Sequence, residues 1–403
     1  MTATIIIAIC ILLLIAYIFD LTSSKTRIPS VILLLALGWG VRQLTDILTL
    51  DLPDLNPLLP ALGTIGLILI VLEGSLELEF NQSKLPLIGK SFIIALLPVV
   101  GLAFLLAFLF NYYDQVPYKE GLINAIPLCV ISSAIAIPSV KNLQGAKKDF
   151  IIYESSLSDI IGILFFNFMV FNPIINSSSF AFFGLELLLI VVVSFIATIS
   201  LSILLSKIEH HIKFAPIILL VILIYEISKV YHLPGLLFIL LFGLFLGNLD
   251  ELKRFHWIEK LNPDALNKEV YKFKELVIEG TFLVRALFFL LFGFLIQTAE
   301  IINTATLPWS LAVVAGIFII RGIMLAIFKL PLKPLLFIAP RGLITILLFV
   351  SILPEQVIEL VNKSLIIQVI ILTAFIMMFG LMFAGKKNQD ETGEETLNIN
   401  NEH

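Results

Sequence analysis

Thirteen apolar stretches follow one another along the 403 residues, near 4–19, 29–43, 58–78, 87–110, 120–140, 150–171, 181–205, 213–229, 234–248, 276–298, 307–328, 333–353 and 364–384. A water-soluble core needs nothing like this many long apolar runs, and in lipid the backbone is satisfied only within helices or closed barrels. With 59% apolar and 14% charged residues, the chain is expected to be an all-α polytopic membrane protein of about 13 transmembrane helices. Runs shorter than about 20 residues are read as short or broken helices. The first run has no basic residue ahead of it and no small-residue cleavage site behind it, so it reads as a span and not a signal peptide. Cys10 and Cys129 both fall inside apolar runs, which excludes a disulfide framework or a zinc cysteine pattern. No Gly-rich phosphate loop is present, and neither a cofactor nor a nucleic-acid partner is expected.

Cations set the expected orientation. If the N-terminus lies outside, most Lys and Arg residues fall in inner loops, and the outer loops hold only Arg42, Lys119, Lys229 and Lys363. The expected location is therefore the cell membrane, in a bacterium the inner one, with the N-terminus outside and the C-terminus cytoplasmic. Residues 249–275 mix charges with Phe255, Trp257, Leu261, Val270 and Phe273 and read as an amphipathic cytoplasmic connector. Residues 386–403 are polar and acidic and are expected to form a disordered cytoplasmic tail beyond a transmembrane domain of residues 1–385.

Two spans carry helix breakers in matching places. The fifth contains Pro127, Ser132, Ser133 and Pro138, and the twelfth contains Ala339-Pro340-Arg341-Gly342. Taking residues 1–172 and 213–385 as two six-helix repeats, with 181–207 as a linker helix, makes these the fifth helix of each half. An offset of seven spans is odd, so the repeats are expected to be inverted. Crossed discontinuous helices in inverted halves are the sequence pointer to a secondary transporter. Their facing ends need compensating charge, and Arg341 suits a carbonyl end.

Charge inside the spans is the next constraint. Arg285, Arg321 and Arg341 face Glu73, Glu154 and Asp159 as the acids at comparable depth. An ionised group at mid-bilayer costs at least about 2.5–3.5 kcal/mol, so each needs a partner, a cavity or a function. Asp159 lies roughly 14 Å inside a helix starting at Phe150, near the midplane, whereas Glu154 is only about 6 Å in and roughly 140° away around the axis. Ser155, Asp159 and Gly162 share one stripe, with Ser158 beside it. If one acid carries protons it must stay free of arginine, and Asp159 is the one expected to do so.

These residues resemble the monovalent cation:proton antiporters, in the sodium/proton exchanger branch. Leu72-Glu73-Gly74-Ser75-Leu76-Glu77-Leu78 is similar to the family's third-helix Phe-Glu-Gly-Gly-Leu-Glu-Leu sequence, and Glu154-Ser155-Ser156-Leu157-Ser158-Asp159 to its sixth-helix Glu-Ser-Leu-Leu-Asn-Asp signature. Arg285 through Gly293 resembles the tenth-helix pattern, Arg321 falls where an eleventh-helix arginine is expected, and Arg341-Gly342 matches the second broken helix. The resemblance implies a homodimer of core and scaffold domains. It implies that Asp159 binds the transported metal ion or a proton, that Glu154 pairs with Arg321, and that Glu73 pairs with Arg285. Two departures stand out. Ser133-Ala134-Ile135 replaces the exchanger branch's Thr-Asp-Pro, with Ser132-Ser133 closer to the potassium-efflux branch, and Ser158 stands where Asn or Asp usually precedes the aspartate.

The expected function is antiport of Na+ or K+ against protons by competition at Asp159, with oxygens from Ser155, Ser158 and Ser133 completing the cation shell. Pairing of Glu154 would make the cycle electroneutral. The alternative is a sodium-coupled organic-anion carrier, or an ion channel, on the same inverted-repeat fold, with Arg341 facing the substrate. An intramembrane enzyme is not expected, because Glu154 and Asp159 point in different directions and no histidine lies near them in the span.

Overall fold

The computed structural model describes residues 2–26, 28–49, 53–78, 82–140, 143, 145–208, 210, 212–252 and 263–399. Among them the structure is all helical, with no strand. The longer helices are α1 (Thr2–Thr26), α2 (Ser30–Ile47), α3 (Leu58–Glu77), α4 (Leu85–Asp114), α5 (Tyr118–Cys129), α6 (Ser133–Ser139) and α7 (Ala146–Phe171). They continue as α8 (Ser177–Lys207), α9 (Phe214–Val230), α10 (Gly235–Gly247), α11 (Pro263–Leu295), α12 (Leu307–Ile327), α13 (Leu343–Val350) and α14 (Lys363–Ile399).

Ten spans among the described residues are long and apolar enough to cross a membrane, with α5 and α6 counted as one. The expected stretches near 213–229, 234–248 and 333–353 hold helices too short for that criterion: α9 has 17 residues, α10 has 13 and α13 has 8. Of the expected connector, 253–262 lies outside the described residues; from Pro263 onward the chain is already the first turns of α11. Residues 400–403 of the expected tail also lie outside the described residues.

Two groups of helices meet at α3. In one, α2 and α3 pack on α11, and α10 packs on α3 and α8. In the other, α4 packs on α5, α7 and α12, and α12 packs on α14. α3 also touches α6, α7 and α13, so it forms a wall beside the broken helices. Polar contacts hold the second group in register at both ends. Lys84 at the start of α4 lies 2.8 Å from Asp149 in the first turn of α7. At the other end, Lys119 donates to the carbonyls of Asn172 and Pro173 (2.8 and 3.3 Å), neutralising the negative end of the α7 dipole.

Candidate functional site

Both proline-marked spans are interrupted. α5 stops at Cys129, Val130 and Ser132 are extended, and α6 starts at Ser133. In the second, a helical turn at Leu332–Leu335 is followed by irregular backbone until α13 begins at Leu343. The breaks touch: the Ser132 N–H donates to the Pro340 carbonyl at 2.9 Å.

Arg341 closes the crossing. Its Nε donates to the Leu128 carbonyl (2.9 Å), Nη2 to Cys129 (2.9 Å) and Nη1 to Ala339 (2.8 Å), while its own N–H is held by Thr373 Oγ1 of α14. The carbonyls of Leu128 and Cys129 are orphaned by the end of α5, and in lipid no bulk water would satisfy them. A planar guanidinium presents five N–H donors in a fixed fork and so reaches diverging carbonyls that the compact ammonium of a lysine does not span. Arg341 is 2% exposed, and three of its guanidinium N–H groups are held by backbone carbonyls.

α7 is stitched onto the first break. Ser158 Oγ accepts from the Ile131 N–H at 3.0 Å, and Ser133 Oγ donates to Asp159 Oδ2. One turn on, Gly162 meets Val130 so closely that a Cβ would stand 2.3 Å from its Cγ2. Glycine is what allows the break to lie against the helix here.

Asp159 is 1% exposed, and its Oδ1 has no hydrogen-bond partner. Among the described residues no cationic side chain lies within ion-pair distance of it. Glu154 is different. Arg321 of α12 grips it in a two-bond fork, Nη1 on Oε1 and Nη2 on Oε2 at 2.9 Å, and the Arg321 Nε holds the Leu335 carbonyl at 2.8 Å. Both partners are buried. The two acids on one helix therefore have opposite environments, one compensated and one open.

The other expected site residues fall as follows. Ser155 Oγ donates to the Ile151 carbonyl of its own helix at 2.7 Å, leaving only lone pairs for a cation. Arg285 Nη2 lies 3.8 Å from Asp20 of α1, an acid that sequence reasoning left unassigned. Glu73 is in α3, on the wall beside the broken helices. Ser132, Ser156 and Thr345, which were not assigned as cation ligands, are buried with hydroxyls lacking partners. Their hydroxyl residue types were visible in the sequence, but nothing there told an occupied hydroxyl from an open one.

A cavity of about 10 Å³, room for roughly one water, lies beside Ser158, Cys129, Ile131, Arg321 and Arg341. Among the described residues no three His, Cys, Asp or Glu side chains cluster as metal ligands. What the site offers is one carboxylate with hydroxyl and carbonyl oxygens, a donor set for a hard cation.

The fold is shared with solved antiporter structures. The structure of the sodium proton antiporter MjNhaP1 from Methanocaldococcus jannaschii at pH 8 aligns with a TM-score of 0.62 and 19% identity, covering 94% of this chain and 96% of that one. A second structure of MjNhaP1, from an electron-microscopy map, aligns with a TM-score of 0.68 and 18% identity over 96% and 97% of the two chains. Comparison with curated proteins finds no match. Residues 10–385 match the family described as sodium/hydrogen exchanger, transmembrane, and with nearly the whole chain so matched, this multi-pass membrane protein belongs to the sodium/hydrogen exchanger family and is a cation/proton antiporter, not an enzyme.

Proposed function

We propose that this antiporter exchanges sodium, or in its place potassium, for protons by competition at Asp159. The single observation that carries the reading is the state of that side chain: buried, held by one hydroxyl on one oxygen, with the other oxygen open and no cationic partner among the described residues. A carboxylate in that setting holds either a proton or a cation, not both. When a cation binds Oδ1, the Ser133 hydroxyl can rotate its proton away and offer a lone pair. Ser158 and Ser155 each keep an acceptor position free to complete the shell.

Glu154 takes no part in the exchange of charge, because Arg321 already balances it. One cation then crosses against one proton, and the membrane potential, about 2.3 kcal/mol per charge per 100 mV, does not drive the cycle. Residues 1–172 and 213–385 act as inverted repeats, and rocking of the helices around the crossing exposes the site alternately to either side. The working unit is a homodimer in the lipid bilayer, with the N-terminus outside and the C-terminus cytoplasmic.

The test is proton movement in sealed proteoliposomes carrying an interior pH dye, with the potential clamped at zero and sodium or potassium added in turn. Cation-triggered pH change in the wild type that disappears in Asp159→Asn, with the variant still folded, is the expected outcome. Exchange that survives in Asp159→Asn would refute the assignment.

A further inference from the structure

Ser156 lies three residues before Asp159 on α7, is 1% exposed, and its hydroxyl has no hydrogen-bond partner. Serines in apolar helices normally turn back to the carbonyl four residues earlier. Ser155, Ser194, Ser202 and Ser228 all do so here, at 2.5–2.7 Å. Ser156 does not. Its Oγ points at α3, 3.5 Å from where a Cβ on Gly74 would stand, and the same Cβ would stand 3.2 Å from Ile137 Cδ1 of α6.

The positions form layers. Ser133 and Asp159 make the first. Ile137 follows Ser133 by four residues and Ser156 precedes Asp159 by three. Because α6 and α7 run in opposite directions, both are displaced one turn toward the connection between those helices. Gly74 faces this second layer, and a Cβ there would stand only 3.2 Å from Ile137 Cδ1, so glycine is what lets α3 close onto it.

We infer that this second layer is the ion's last step between Asp159 and the membrane face carrying the α6–α7 connection, an inference that rests on the role proposed above for Asp159. The Ser156 hydroxyl, receiving no hydrogen bond and making none, offers its oxygen to a cation that is shedding water. Gly74 keeps a side chain of α3 out of this contact, and Ile137 covers the step when it is empty. Ser156 is a specificity-determining residue on the path and not a ligand of the final site.

The experiment is sodium-dependent proton flux in proteoliposomes of the full chain at zero potential, read as half-saturating sodium and maximal rate. Ser156→Ala is expected to raise half-saturating sodium about fivefold, the size of one lost oxygen contact, while Ser156→Thr restores it and Gly74→Val lowers the maximal rate. An unchanged half-saturating concentration in Ser156→Ala, with Asp159→Asn inactive, overturns the inference and leaves the role of Asp159 standing. Wild-type vesicles without sodium-driven flux would instead defeat the proposed function itself.

A second measurement does not depend on transport by the alanine variant. In a Cys10→Ser background, Ser156→Cys is exposed to a water-soluble cationic thiol reagent. Modification that sodium slows is the expected result, and an introduced thiol that stays unmodified in actively exchanging protein overturns the inference.

Discussion

Removing either member of the Glu154–Arg321 pair should be among the most destabilising single changes in the protein. Arg321→Met leaves a carboxylate 1% exposed without its two-bond partner, and the Leu335 carbonyl loses its donor as well. Glu154→Gln leaves the guanidinium charge buried and opposed only by an amide. Breaking a buried pair from one side costs about 3–5 kcal/mol, whereas replacing both charges by neutral groups of similar volume is often close to neutral. The double variant Glu154→Gln with Arg321→Met should therefore lose far less than the sum of its parts, with a coupling of about 3 kcal/mol. Unfolding by SDS titration in mixed micelles measures all four species. Single variants within about 1 kcal/mol of wild type, or a double variant whose cost equals the sum, would refute the claim that these charges compensate each other in a dry interior.

Two further changes test the crossing itself. Arg341→Ala orphans the Leu128, Cys129 and Ala339 carbonyls; at about 1.5–3 kcal/mol for a bond to a charged group, it should destabilise strongly in the same titration, and Arg341→Lys should recover only part because one ammonium cannot reach three diverging acceptors. Gly162→Val drives a side chain into Val130, with an expected cost of about 1–3 kcal/mol from overpacking in the same titration, and adding Val130→Ala to Gly162→Val should recover much of the loss.

Much of this arrangement was legible before any coordinates. Pro127, Pro138 and Pro340-Arg341-Gly342 marked both breaks, because proline and glycine act on their own backbone wherever the chain takes them. The contrast between Glu154 and Asp159 was also foreseeable in outline, since five residues of helix turn two acids to different neighbours. The Glu154–Arg321 contact came from the family resemblance and not from spacing, and Asp20 as the acid beside Arg285 was not foreseen. Asp20 sits at the edge of an apolar run, where an acid reads as a loop residue; packing of α1 against α2 and α11 brings it inward.

What the sequence by itself determined is the membrane, the helices, where they break and which charges are stranded in hydrocarbon. Those properties are local: apolar runs, a missing backbone donor, the cost of a charge in lipid. Tertiary structure alone decided which hydroxyls are spent and which are open, so that Ser155 serves its own helix, Ser158 holds the Ile131 N–H, Ser133 holds Asp159 and Ser156 holds nothing. It likewise decided that Arg341 reaches Leu128 across 213 positions of chain and Arg321 reaches Glu154 across 167. The physical reason is that a hydrogen bond depends on distances of a few tenths of an ångström, and only the packing of remote helices sets distances that fine.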